Sequence, residues 1–309
     1  MTGRGTYPSK IMLVGEYGVI AGGSALTIPY AEFSARIRSV KDIPLNKKEE
    51  ARQSLEYIQY LYDYIRDIPQ KNFHAPLDLD HFSDNFRNYW LDLNIPLGYG
   101  LGSSGAVSAA IYDLFFPGQD GLKLQQQKED LAAIESFFHG KSSGMDALTC
   151  HAGVALRFQS SGSIEVVKLN PAKLPGDYCF FLLDSGERFD TGPLVKHFLD
   201  RMKNGGFRRA IEEEYLPLNK RLIESLLGES ETDPALLVKL ISDFQLKFFP
   251  EMIPQKAIEL WIEGQVSNEY YLKLNGSGGG FMLGITHNSF MERLNERWGD
   301  KLHWIDVRL

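Results

Sequence analysis

The sequence predicts a two-domain α+β protein, and three observations carry that prediction. At 309 residues the chain is long for one domain and comfortable for two. Strand-like and helix-like patterns are mixed, without the regular βαβ alternation of a doubly wound sheet. The segment Asn170–Gly176 contains two prolines and reads as a boundary, giving domains 1–172 and 173–309.

The elements follow in order. Ile11–Val14 is a continuous apolar run after Pro8 and reads as a buried strand. Ala25–Ile28 reads as a second strand, ended by Pro29, and Glu32–Val40 as a third. Asn46–Ile68 is a helix: Asn46 and Glu49 have capping spacing, and Ala51, Leu55, Ile58, Tyr62 and Ile65 form one apolar face. Pro69 ends it. Leu91, Leu93 and Ile95 alternate with polar neighbours, as a half-buried strand does. Gly105–Phe116 reads as a small-residue helix and Lys128–Phe138 as another, with Gly140 at its C′ position. Ser142–Cys150 is a short helix. Val154–Phe158 and Ile164–Leu169 flank Ser160-Ser161-Gly162, a hairpin signal. Beyond the boundary come a strand at Tyr178–Leu183, helices between Leu194 and Trp261, and strands at Tyr271–Leu274, Phe281–Ile285 and His303–Val307.

Composition narrows the class. Hydrophobic residues are 43% and charged residues 24%, which excludes a disordered chain, a collagen-like chain or a coiled-coil rod. A net charge of −7 gives no general attraction to nucleic acid or anionic lipid, so neither is expected as a partner. The two cysteines, Cys150 and Cys179, form no C-x-x-C pair, and a disulfide framework is excluded. Met1–Lys10 holds no apolar stretch of signal-peptide length, and no apolar run is long enough to span a bilayer. The expectation is a cytoplasmic protein acting on a small molecule, with a homodimer left open.

Three segments point to chemistry. Pro96-Leu97-Gly98-Tyr99-Gly100-Leu101-Gly102-Ser103-Ser104 lies between a strand and a helix start. Glycines allow close backbone approach to a ligand, and the first-turn N–H groups with the helix dipole form an anion site. The plainer reading is a glycine turn with a serine cap. Neither the Walker A nor the Rossmann spacing is met. Gly276-Ser277-Gly278-Gly279-Gly280 joins two strands, and a simple hairpin needs fewer glycines. Close approach to a ligand or to the first glycine loop would account for the excess; the alternative is a wide turn. In the third segment, Glu135 to Asp146, Ser143 and Asp146 have capping-box spacing, so Asp146 is either a helix cap or a reactive carboxylate. Gly140-Lys141-Ser142-Ser143-Gly144 formally matches a nucleophile elbow, but a helix rather than a strand precedes it.

Taken together, these segments resemble the GHMP kinases. Pro8-Ser9-Lys10-Ile11-Met12-Leu13-Val14-Gly15-Glu16-Tyr17-Gly18-Val19-Ile20, then Pro96 to Ser104, then Lys273 to Gly280 are similar to the three family motifs, in order. Within the family the mevalonate kinases are matched best. His139-Gly140-Lys141-Ser142-Ser143-Gly144-Met145-Asp146 is similar to their segment bearing the catalytic aspartate, Glu135 stands at their metal-ligand spacing, and Asp190 to Val195 is similar to the opening of their second domain. The resemblance implies an α+β N-terminal domain, a ferredoxin-like C-terminal domain and an active site between them. It implies ATP and Mg²⁺ as cofactors. Asp146 and Lys10 would be catalytic. Gly98, Tyr99, Gly100, Leu101, Gly102, Ser103, Ser104 and Gly278 would hold the nucleotide. Glu16, Tyr17, Gly276 and Thr191 would contact the substrate, mevalonate, and Ser104 and Glu135 would bind the metal. The sequence departs from the pattern at Ser9, Tyr17, Gly105 and Ala147; Gly15-Glu16-Tyr17 also occurs in phosphomevalonate kinases. Rival readings are phosphomevalonate kinase, another hydroxy-acid kinase, a serine hydrolase using Ser142, and a nucleotide-binding module without catalysis.

Overall fold

The computed structural model describes residues 5–169 and 177–306. The boundary expected at Asn170–Gly176 therefore lies outside the described residues, as does Val307. By contacts, the chain divides into two compact units that are discontinuous in sequence. The first takes the chain up to Lys10, Pro29–Pro96 and Gly102–Val154; the second takes Ile11–Ile28, Leu97–Leu101 and the chain from Ala155 on.

Strand β1 (Thr6–Val14) is longer than its apolar run and passes through Pro8. It pairs with β2 and lies at the end of the strand order, where a proline is tolerated. Strand β2 runs unbroken from Ala25 to Ser39, so Pro29 does not end it and the two strands expected here are one. The pairing explains why. Ala25–Thr27 pair with β4 (Leu156–Phe158), and Ala35–Ser39 pair with β3 (Tyr89–Leu93). Pro29 falls between the two partners, where its missing N–H takes no bond from either. Strand β5 (Ile164–Val166) closes the expected hairpin on β4.

The helices of the first unit are α1 (Lys48–Arg66), α2 (Leu79–Asn85), α3 (Ser103–Phe115), α4 (Leu124–His139) and α5 (Met145–Ala152). In α1, Ala51, Ile58, Leu61 and Ile65 are buried, but the helix starts after a 3₁₀ turn and Lys47 precedes it without a side-chain cap, so Asn46 does not cap it. Helix α4 ends at Gly140 (φ +71°) as expected. In β3, Trp90 and Leu91 are both buried while Leu93 is exposed, so the strand does not alternate as its sequence suggests. Phe82 stacks on Phe115 at 3.8 Å in the core of this unit.

Helices α3 and α5 meet backbone to backbone. A Cβ on Gly105 would come within 2.8 Å of the Ala147 nitrogen. The small residues Ala106, Ala109 and Ala110 are fully buried along α3. This close approach is the physical reason for glycine at position 105.

In the second unit, β6 (Tyr178–Asp184) is flanked by antiparallel β8 (Phe281–His287) and β9 (Leu302–Ile305), and β7 (Tyr270–Leu274) pairs with β8. The spatial order is β7-β8-β6-β9. Helices α6 (Thr191–Arg201), α7 (Gly205–Ala210), α8 (Leu216–Leu226), α9 (Pro234–Phe248) and α10 (Ile258–Ser267) lie between β6 and β7, and α11 (Met291–Trp298) between β8 and β9. This is the βαββαβ chain order of a ferredoxin-like sheet with a block of helices as its first crossover. A π-helical turn, Ile211–Tyr215, joins α7 to α8. Among the described residues no helix is long and apolar enough to cross a membrane.

Candidate active site

In the first unit β1, α3, α4 and α5 bring four of the expected residues together. Lys10, 2% exposed, places its ammonium 3.1 Å from Asp146 Oδ2, and Asp146 keeps 31% of its side chain open. The Ser143–Asp146 capping box does not form: Gly144 is the N-cap of α5, with φ +72°, and the aspartate turns to lysine instead. Ser104, in the first turn of α3, donates to Glu135 Oε1 at 3.0 Å. Ser142 donates to Glu135 Oε2, and its oxygen also accepts the Gly144 N–H. His139 Nε2 lies 3.1 Å from Ser104 Oγ.

Electrostatics here are unbalanced. Glu135 is buried, and burial together with the nearby Asp146 carboxylate pushes its carboxyl well above the usual range, against hydrogen bonds from Ser142 and Ser104 and the charge of Lys10. A carboxyl raised in this way favours its charged form only when a further cation arrives beside it. A hydroxyl and a carboxylate oxygen are the donors a hard divalent cation takes. Among the described residues no group of three or more His, Cys, Asp or Glu could hold a metal alone. The pair therefore suits Mg²⁺ that draws its remaining ligands from phosphate and water.

The glycine loop leads into α3. Gly98, Gly100 and Gly102 all have positive φ (+77°, +74°, +68°). At Gly102 a Cβ would also press to 2.9 Å on Lys10 Cγ, so glycine is required twice over. Gly102 is the N-cap of α3 and no side chain caps the helix, which leaves its first-turn N–H groups for another acceptor. The serine cap of the plainer reading is absent.

In the second unit the glycine cluster packs on the first loop. A Cβ on Gly280 would lie 2.3 Å from Tyr99 Cα, and one on Gly100 would lie 2.6 Å from the Asn275 carbonyl. Gly276 faces Gly100, Gly278 the Met252 carbonyl and Gly279 the Phe189 side chain. Four glycines are needed because four close contacts are made. Tyr99 rests edge-on against Phe281, and the Arg188 guanidinium lies 5.8 Å over its ring; Leu101 is buried.

Glu16 and Tyr17, expected to touch substrate, turn inward. Glu16 is 1% exposed and pairs with the buried Lys273 ammonium. Tyr17 is 3% exposed, has φ +57°, and packs between Phe198 and Phe249 while its hydroxyl donates to the Ser277 carbonyl. Burial raises its hydroxyl pKa, with Glu16 adding to the rise. The Tyr215 hydroxyl, at the end of the π-helical turn, donates to the Glu16 carbonyl at 3.0 Å. These residues support the loop. Thr191 and Ser277 instead present exposed hydroxyls 2.8 Å apart. Sequence reasoning missed the Lys273–Glu16 pair, although a lysine inside the apolar strand Tyr270–Leu274 was a signal that a buried partner exists.

With this geometry in view, the relationships are informative. Residues 64–153 match the family model described as GHMP kinases N terminal domain. No curated protein sequence matches the chain. Among solved structures, L. major mevalonate kinase in complex with R-mevalonate is similar over 98% of this chain and 95% of that one, with TM-score 0.64 and 15% identity. Streptococcus pneumoniae phosphomevalonate kinase in complex with phosphomevalonate and AMPPNP matches over 97% and 99%, with TM-score 0.60 and 18% identity. Lactococcus lactis galactokinase complexed with galactose matches over 97% and 91%, with TM-score 0.65 and 14% identity. The chain has the GHMP kinase fold, and its residues 64–153 are similar to that family's N-terminal domain. Its structural neighbours are mevalonate kinases and related members of the family.

Proposed function

We propose that the protein is an ATP-dependent kinase that phosphorylates the primary hydroxyl of mevalonate. The observation that carries this reading is the Lys10–Asp146 pair, a sealed lysine against a partly open carboxylate. An alcohol is a weak nucleophile at neutral pH. Asp146 would take the hydroxyl proton as the oxygen attacks the γ-phosphorus of ATP, and ADP departs as that bond breaks. Lys10 would orient Asp146 and stabilise charge on the attacking oxygen and the transferring phosphoryl group. The uncapped start of α3 and the loop Gly98–Ser104 would bind phosphate oxygens. Ser104 and Glu135 would hold Mg²⁺, which supplies charge neutralisation for the phosphates.

The hydrolase reading loses support. Ser142 is bound to Glu135 and Gly144, and the nearest histidine of its segment lies on Ser104 instead. The choice of mevalonate rests on charge. Phosphomevalonate brings a further phosphate that would need extra Arg or Lys contacts; the segments Gly15–Gly23 and Gly140–Ala147 supply Lys141 alone, and Arg188, over the Tyr99 ring, is one further basic side chain. The test is ATP consumption against a panel of small alcohols. Mevalonate should give the highest kcat/KM. A higher value for phosphomevalonate would move the substrate and leave the kinase reading standing; no phosphoryl transfer to any alcohol would remove the reading itself.

A further inference from the structure

A second buried polar cluster in the first unit has no part in the chemistry described above. Tyr7 donates to Asp113 Oδ2 at 2.6 Å, and Gln119 donates to Asp113 Oδ1 at 2.8 Å. His151 Nε2 lies 3.6 Å from the same Oδ1. Tyr7 is 1% exposed and His151 8%. The ring of Tyr112 meets His151 edge-on at 5.3 Å, and its hydroxyl donates to Asp130. Burial opposes a charge on Asp113, but the neighbouring His151 imidazole and the hydrogen bonds from Tyr7 and Gln119 bring its carboxyl down to about 2. Asp113 is therefore an acceptor at neutral pH and can serve all of these partners at once.

The cluster's place in the fold gives it meaning. Strand β1 carries both Tyr7 and Lys10; α5 carries both His151 and Asp146; α3 carries both Asp113 and Ser104. The three elements that converge on Asp113 are the three that carry the lysine, the base and one metal-binding hydroxyl. At Gly105, α3 and α5 are already in backbone contact, so a shift of one helix has no slack to absorb it. We propose that Asp113 is a positioning residue for phosphoryl transfer: by accepting from β1 and facing α5, it fixes the separation of Lys10 and Asp146. The proposal rests on the kinase reading above. Asp113 touches none of the reacting groups, and it acts through the elements it ties together.

The test uses the full chain and measures kcat, the KM for Mg-ATP and the melting temperature. Asp113→Ala should lower kcat roughly 10- to 100-fold, the usual cost of a small misplacement of reacting groups. The KM for Mg-ATP should stay unchanged. Asp113→Asn, which keeps one acceptor oxygen, should recover part of the rate. Tyr7→Phe removes only the hydroxyl that reaches from β1, and it carries the test if Asp113→Ala fails to fold. If both residues act through one linkage, Tyr7→Phe combined with Asp113→Asn should lose less than the product of the two single losses. A lowered melting temperature with kcat unchanged, or strictly multiplicative losses, would overturn the proposal while the kinase reading stands. A wild-type chain that transfers no phosphoryl group would overturn both.

Discussion

Two lysine–carboxylate pairs in this molecule look alike in sequence and differ in physics. In Lys10–Asp146 the lysine is sealed and the carboxylate is 31% exposed. In Lys273–Glu16 both partners are sealed, at 1% and 0%. A half-open pair can exchange a proton with something that arrives from outside. A closed pair cannot, and its charges are there to hold two segments in register. Desolvation sets the terms in each case: a buried pair gains little net stability, yet removing one partner leaves an uncompensated charge. Exposure of the carboxylate, rather than the presence of a lysine, separates the reactive pair from the supporting one.

The largest expected effect falls on the open pair. Asp146→Asn should lower kcat by about two to four orders of magnitude, the worth of a positioned base. Mg-ATP binding should be nearly unchanged, while the melting temperature falls because the sealed Lys10 loses its charged partner. Near-normal turnover with a lowered melting temperature would make Asp146 a structural residue and erase the contrast. The closed pair should respond in the opposite way. Lys273→Met should destabilise the fold by about 3–5 kcal/mol in denaturant titrations. Lys273→Met with Glu16→Leu should recover much of that loss, because no charge is then left buried. A Lys273→Met protein of normal stability would show that this pair is not closed in solution.

Smaller effects sharpen the picture. Ser104→Ala and Glu135→Gln should each raise the Mg²⁺ concentration needed for half-maximal rate, since each removes an oxygen ligand. Unchanged Mg²⁺ dependence in both would reassign the metal site. Gly105→Ala should cost about 1–3 kcal/mol of stability through overpacking of α3 on α5, and calorimetry would measure it. The smallest effect concerns acid. The Asp113 carboxyl is held below its ordinary 3.8, at about 2. Its contribution to stability is therefore complete above pH 3.8 and fades as pH falls toward 2. Asp113→Asn should flatten that part of the stability-against-pH curve; parallel curves would deny the charged acceptor.

How much of this was legible in the sequence varies with range. The glycine loops, the helix end at Gly140 and the β4–β5 hairpin were legible, because each is set by residues within a few positions of one another. Periodicity shows which face of α1 is buried. It does not show that Pro29 would fall between two partners of β2, because that depends on where β3 and β4 pair. Nor does it show that Glu16 meets Lys273, because the two lie far apart along the chain and only the folded unit brings them together. Glu16 and Tyr17 were placed with the substrate by resemblance, and the structure packs them under the loop instead. Burial is a property of the whole fold, and a local motif does not contain it.

Helix α5 has a further consequence for how this chain tolerates change. It is bounded at both ends by left-handed glycines, Gly144 (φ +72°) and Gly153 (φ +64°), and a Cβ on Gly144 would strike the Lys128 carbonyl at 2.2 Å. Neither end can drift to take up an extra residue. One residue inserted between Gly144 and Asp146 would turn the aspartate about 100° around the helix axis. Deleting one would turn it equally far the other way. Lineages of this protein should therefore vary in length at the exposed Ser160-Ser161-Gly162 turn and keep the distance from Gly144 to Gly153 fixed, whatever their side chains become.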